Sequence, residues 1–186
     1  MRQRTVYVQP WRVDVTVRDG VDLAAPATRI AGLCRAVARA LDAAGAPTPA
    51  SIGLILSDDA ELAELNAAHM GAEGPTDVLS FPLLPPAAFP PHEAGPGRPN
   101  ADPAAATFVP PPGRLHLGDI VVSVERAIEQ AAAGRGGQTG DVRWSPAHEL
   151  RLLVTHGALH VCGWDHADPV EEAAMRALEQ RLLAEG

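Results

Sequence analysis

The sequence contains no lysine, and all 15 of its basic residues are arginine. Against 23 acidic residues this leaves a formal net charge of −8. Such a balance argues against gripping nucleic acid by bulk electrostatics, because neutralising phosphates takes Lys and Arg. A local basic cleft stays compatible with it. The abundance of Arg and Ala reads as a coding bias without functional content. Cysteine is scarce too: Cys34 and Cys162 are too few for a disulfide framework, and neither lies in a Cys-x-x-Cys pair. Both read as small buried apolar residues. Aromatics make up only 4% of a chain that is 46% hydrophobic, so aliphatic side chains and Ala must fill the core. No apolar run approaches the roughly 20 residues that span a bilayer. Met1 to Pro10 carries Arg2 and Arg4 with no apolar block behind them, so no secretory leader is expected. A cytoplasmic protein without a membrane partner is the expectation, and 186 residues suit a single domain.

Periodicity organises what is present. Trp11 to Val17 alternates, with Val13, Val15 and Val17 on one side, and predicts a half-buried strand. Thr28 to Ala44 places Ile30, Leu33, Cys34, Val37 and Leu41 at helical spacing, and Gly45 ends that helix. Ser51 to Ser57 reads as a buried strand. Asp58 with Glu61 suggests a capping box for a helix running to about His69. Thr76 to Pro82 and Gly118 to Val122 read as two further strands, and Ser123 can cap a short helix through Ala133. Gly134 to Gly140 is a Gly-rich loop. Ser145-Pro146 opens a helix to about Val161, a cap followed by Pro at the first helical position. Asp168-Pro169 with Glu171 opens the last helix, whose apolar stripe is Val170, Ala174, Ala177, Leu178 and Leu182. Leu83 to Gly113 holds ten of the 18 prolines and reads as an insertion without regular structure. These elements predict an α+β domain spanning 1–186, with a mixed sheet of about four strands packed with helices.

The chemistry lies in Thr155-His-Gly-Ala-Leu-His-Val-Cys-Gly-Trp-Asp-His166. His156 and His160 are four apart on a predicted helix, so their imidazoles share one face, one turn apart. Both can reach one ion at about 2.0–2.1 Å. Gly163 lets the chain leave the helix and bring His166 round as the third ligand. Three neutral imidazoles with an open fourth position fit a catalytic zinc, which lowers the pKa of water toward about 7. A structural metal site is the alternative, and imidazole also suits nickel, copper and iron. Asp165 and Asp168 can serve either as acceptors that orient a ligand histidine or as loop and cap residues, and for Asp168 the cap is favoured. The helix is like that of the zinc metalloproteases, with one difference. Their His-Glu-x-x-His motif puts a general-base Glu beside the first His, where this chain has Gly157. That lowers the peptidase reading.

The segment from His156 to His166 resembles the HGxLHLxGxDH signature of the YbeY family, bacterial endoribonucleases of ribosomal RNA maturation. Leu65-Asn66, Pro75 to Pro82 (PTDVLSFP) and Leu117-Gly-Asp-Ile120 agree with the family in order. The match covers about residues 11 to 182, the Pro-rich insertion aside. The resemblance implies an α+β fold with the metal site at one end of a cleft. It implies single-strand-specific hydrolysis of RNA in 16S rRNA 3′-end maturation and small-subunit quality control. The partners implied are single-stranded rRNA, the small ribosomal subunit and the GTPase Era. By matched position, His156, His160 and His166 are the metal ligands, one Zn(2+) per chain. Thr76, Asp77 and Ser80 match the strand motif beside the cleft. Asp77 is carried as a catalytic candidate, with a structural role satisfying loop amides as the alternative, and for Asp119 a structural role is favoured.

Two departures stand out. The family commonly has an Arg where this chain has Met70, and His69, Arg114 and Arg143 are the substitutes for that phosphate ligand. The family's Leu within the metal turn is Cys162 here, read as a packing substitution rather than a fourth ligand. Two other functions stay open at this point: a ribosome-assembly factor with a metal site and no catalysis, and a metal-dependent hydrolase of another substrate.

Overall fold

The computed structural model describes residues 1–21, 29–91, 113–134, 145–166 and 168–185. Five strands form one sheet: β1 (Arg2–Val8), β2 (Trp11–Val17), β3 (Ala50–Ser57), β4 (Val78–Pro82) and β5 (Leu115–Ser123), in the order β1-β2-β3-β5-β4. The expectation of about four strands missed β1. This strand forms a hairpin with β2, running from Arg2 opposite Val17 to Val8 opposite Trp11. It is an edge strand with no fully buried residue, and only Val6 and Val8 at its end pack on the core, so its sequence carries too little of the apolar alternation that betrays a half-buried strand. β2, β3 and β5 are mutually parallel, and β4 returns antiparallel along β5. The sheet is therefore mixed, and the architecture is α+β.

Five helices accompany the sheet among the described residues: α1 (Ile30–Ala43), α2 (Asp59–Met70), α3 (Val124–Ala132), α4 (Pro146–Val161) and α5 (Pro169–Ala184). α1 and α4 share the main core with the sheet: Leu33, Val37 and Leu41 from α1 and Leu150, Val154 and Leu159 from α4 join Ile52, Leu54 and Leu56 of β3 and Ile120 and Val122 of β5. Val13, Val15 and Val17 are buried as their alternation required. A smaller cluster of Leu62, Leu79 and Val121, with Ile55, Leu65 and Phe81 against it, involves α2. Phe89, in the opening of the Pro-rich region, is buried in the main core, and a short 3₁₀ turn (Pro86–Ala88) precedes it. The rest of that region, 92–112, lies outside the described residues, as does most of the Gly-rich loop. Among the described residues no helix is long and apolar enough to cross a membrane.

Four side-chain caps start the helices. Asp58 accepts from the amide of Glu61, Ser123 from Arg126, Ser145 from His148, and Asp168 from Val170 and Glu171. Each is worth about 1 kcal/mol against Ala. The expected capping box is only half made. The Glu61 carboxylate turns to Arg18, at 2.8 Å from Nε, and to the Ser57 hydroxyl, so it ties α2 to the ends of β2 and β3.

Candidate metal centre

α4 lies between the sheet, α1, α3 and α5, which is why it is buried on most sides. Its C-terminal turns carry His156 and His160. A complete left-handed stop ends it: Gly163 adopts φ 83°, its amide donates to the His160 carbonyl at 2.9 Å, and the Trp164 amide donates to Leu159 at 3.1 Å. This double bond pattern closes the helix and reverses the chain within four residues. His166 thereby comes back beside the other two rings. Ring centroids are 4.4 Å apart for His156 and His160, 5.1 Å for His160 and His166, and 5.9 Å for His156 and His166. One ligand nitrogen from each lies within 4.8 Å of the other two, so the trio could hold a metal ion.

Tautomers decide whether these rings suit a cation. His160 Nδ1 lies 2.8 Å from the Trp164 carbonyl, which only accepts, so Nδ1 must carry the proton. His156 Nδ1 lies 2.7 Å from Glu179 Oε1, whose carboxylate likewise accepts. Both Nε2 atoms are then bare lone pairs, and they face each other at 3.0 Å. Two lone pairs at that distance repel unless a cation satisfies both. The spacing is close to the edge of about 3.3 Å expected of a tetrahedral ion with bonds of about 2.0–2.1 Å. Burial, reinforced by the neighbouring His156, pushes His160 down to about 4, so its ring is neutral at physiological pH, as a ligand must be. The residues fit a borderline-soft divalent metal. Cys162 is fully buried in the core and burial pushes its thiol up to about 12, so it is an apolar packing group.

A cavity of about 280 Å³ opens beside the trio, with His156 and His166 in its wall. Asp77, Glu149, Glu172 and Arg176 also line it. Asp77 reaches the cavity from the start of β4, but its oxygens are engaged. Oδ1 accepts from the Val78 amide at 2.9 Å and the Thr76 hydroxyl at 3.3 Å, and Oδ2 accepts from Gln130 Nε2 at 3.1 Å. Ser80 donates to the Gly157 carbonyl at 3.0 Å and fastens β4 to α4.

Other sequence candidates lie elsewhere. Asp119 pairs with His116 at 3.2 Å, in space left by the absent side chain of Gly53. Arg114 donates to the carbonyls of Pro10 and Ala50, a structural role. The His69 ring packs edge-on to Phe81, and Met70 is 55% exposed at the end of α2. Arg143 lies outside the described residues. Asp168 caps α5, and Asp165 accepts from the His166 amide at 2.7 Å. The ring acceptors are instead Glu179 and the Trp164 carbonyl. Glu179 went unnoticed in the sequence although a signal existed. It is a carboxylate on the buried stripe of α5, between Met175, Leu178 and Leu182.

Fold and site together define a small α+β protein in which two imidazoles of a buried helix and a third from the turn that follows it could hold one cation at the edge of an acidic cavity. The family model described as Endoribonuclease YbeY matches residues 21–186, and the chain belongs to that family. The protein is 38% identical over 174 residues to the Endoribonuclease YbeY of Mycobacterium ulcerans, covering 93% of this chain and 82% of that one. It is 44% identical over 137 residues to that of Mycobacterium tuberculosis, covering 73% of this chain and 64% of the other. A solution structure from Thermotoga maritima covers 94% of this chain and 87% of its own, at 20% identity and a TM-score of 0.46.

Proposed function

We propose that this chain is a metal-dependent, single-strand-specific endoribonuclease that acts in 16S rRNA 3′-end maturation and small-subunit quality control. His156, His160 and His166 hold its metal, taken to be zinc, and the chain works in the cytoplasm on the small ribosomal subunit, with the GTPase Era as a partner. The convergence of three ligand nitrogens within 4.8 Å carries the reading. A zinc ion there would supply Lewis acidity and lower the pKa of water toward about 7. The chain's own residues do the rest. Glu179 and the Trp164 carbonyl fix the rings, and the cavity admits the scissile phosphate beside them. Asp77, as the acidic group nearest the start of β4 in that cavity, is the candidate to orient a water or receive its proton. Arg176 is the one cation among the residues lining the cavity, and so the group placed to meet phosphate charge.

The test is elemental analysis of the purified protein together with cleavage of a single-stranded rRNA 3′-end substrate, wild type against His160→Ala. Loss of metal and of cleavage in a folded variant supports the proposal. Full activity of a metal-free, clean preparation defeats it. The acidity of the cavity and the exposed Met70 favour one competing reading, an assembly factor that binds the immature subunit without cutting it. A His160→Ala variant that still rescues rRNA maturation in a deletion strain would select that reading.

A further inference from the structure

Glu179 is 5% exposed and sits among Met175, Leu178 and Leu182 on the face of α5 turned to the body of the protein. Stability alone favours an apolar side chain at such a position, because a buried carboxylate loses its hydration. What the carboxylate adds is an acceptor 2.7 Å from His156 Nδ1. The other helical histidine has its Nδ1 held by a backbone carbonyl of its own turn, which no side-chain substitution removes. His156 has no such local partner, since it lies a full turn inside α4, where the carbonyls are occupied by the helix. Its orientation therefore depends on a helix that follows all three histidines in the chain.

We propose that Glu179 is the positioning residue of the metal centre. By accepting the Nδ1 proton it holds His156 in the tautomer whose Nε2 lone pair faces His160 and His166, and it makes the docking of α5 part of the site's affinity. The inference rests on reading the three histidines as a metal site. It concerns metal affinity and ring tautomer, which are measured without reference to RNA cleavage. α5 is held at two points: its first turn follows His166 by three residues, and Glu179 lies in its third turn. Loading the site should therefore tighten α5 as a unit.

The experiment compares wild type, Glu179→Gln and Glu179→Ala by zinc competition with a chromophoric chelator, and by ¹⁵N shifts of the His156 ring in the metal-free protein at neutral pH. Gln keeps an acceptor oxygen and the volume, whereas Ala removes both. Loss of an outer partner of a ligand histidine typically weakens metal binding about 10–100-fold. Glu179→Ala should show that loss and a mixed tautomer at His156. Glu179→Gln should keep the Nδ1–H tautomer and most of the affinity. Hydrogen exchange of residues 169–184 should slow on zinc addition in wild type and in Glu179→Gln only. Zinc affinity within twofold of wild type in folded Glu179→Ala overturns the proposal. So does an equal loss in both variants, which would assign the effect to charge rather than position. If wild type itself binds no zinc while the tautomer shifts behave as stated, the metal reading fails and the orienting bond survives.

Discussion

The absent side chain of Gly157 is what lets α4 lie against Ile120: a Cβ built at 157 would stand 2.7 Å from Ile120 Cγ2 and 3.2 Å from Ser80 Oγ and Val78 Cγ2. The position beside the first histidine therefore faces the sheet, not the cavity. A glutamate there could not act as a base on anything bound near the histidines, so the departure from the protease motif is a packing requirement. Gly157→Ala sets two effects against each other. Ala in a helix interior gains about 1 kcal/mol over Gly, while overpacking a close-packed interface costs about 1–3 kcal/mol. Ile120 is β-branched and stiff, and it sits on a strand paired on both sides, so the clash should win. Denaturant midpoints should place Gly157→Ala below wild type, by up to about 2 kcal/mol once the helix gain is set against the overpacking. A variant as stable as wild type would show that the contact relaxes freely.

Arg18 and Glu61 join the end of β2 to α2 through a fork, with Nε donating to Oε2 at 2.8 Å and Nη2 to Oε1 at 2.5 Å. The bond from Arg18 is the main cause that holds the Glu61 carboxyl below its ordinary value. A carboxylate whose folded pKa is depressed contributes stability that is full above its unfolded pKa, about 4.3. That stability is lost as pH falls through the folded value. Both side chains are partly exposed, so screening reduces the pair to about 0.5–1 kcal/mol. Glu61→Gln should lower stability at neutral pH by that order and flatten the acid limb below about pH 4.3. Urea titrations across pH 3 to 7 would check it, and parallel acid limbs for the two proteins would contradict it.

Much of this was legible in the sequence because the signals were local. The alternation of Val13, Val15 and Val17, the caps at Ser123, Ser145 and Asp168, and the spacing of His156, His160 and His166 each depend on residues within one element. What escaped depended on partners far along the chain. β1 is a strand only because β2 offers it an edge. Glu61 makes half a capping box because Arg18 and Ser57 compete for its carboxylate, and Glu179 meets His156 only once α5 has packed on α4. The side of Gly157 that mattered was likewise set by β5, from a different part of the chain.

Metal removal gives a direct check on the histidine site. A ligand at 100 times its Kd that binds only the folded state stabilises by about 2.7 kcal/mol. For a domain of this size that is a rise in Tm of about 5–10 °C. Zinc added to chelator-stripped protein should raise Tm by that order in wild type and leave His160→Ala where it was. An equal rise in both would place the stabilising ion away from His160.

Arg176 offers the last test, because the cavity is otherwise acidic. Its partner is Glu172, four residues earlier on α5, and both side chains are nearly half exposed. An exposed helical pair of this kind is worth only about 0.3–0.5 kcal/mol, so a phosphate can displace the carboxylate at little cost. Glu149, Glu172, Glu179 and Asp77 repel RNA from the same wall, which makes one cation there matter more than it would on a basic surface. Arg176→Ala should weaken binding of single-stranded RNA across different sequences alike, since a phosphate contact carries no base information. The slope of log affinity against log salt should fall by about 0.7, the value for one contact to a single strand. Fluorescence anisotropy over a salt series reads both quantities. An unchanged slope with unchanged affinity would remove Arg176 from the RNA path and shift phosphate recognition to another face of the protein.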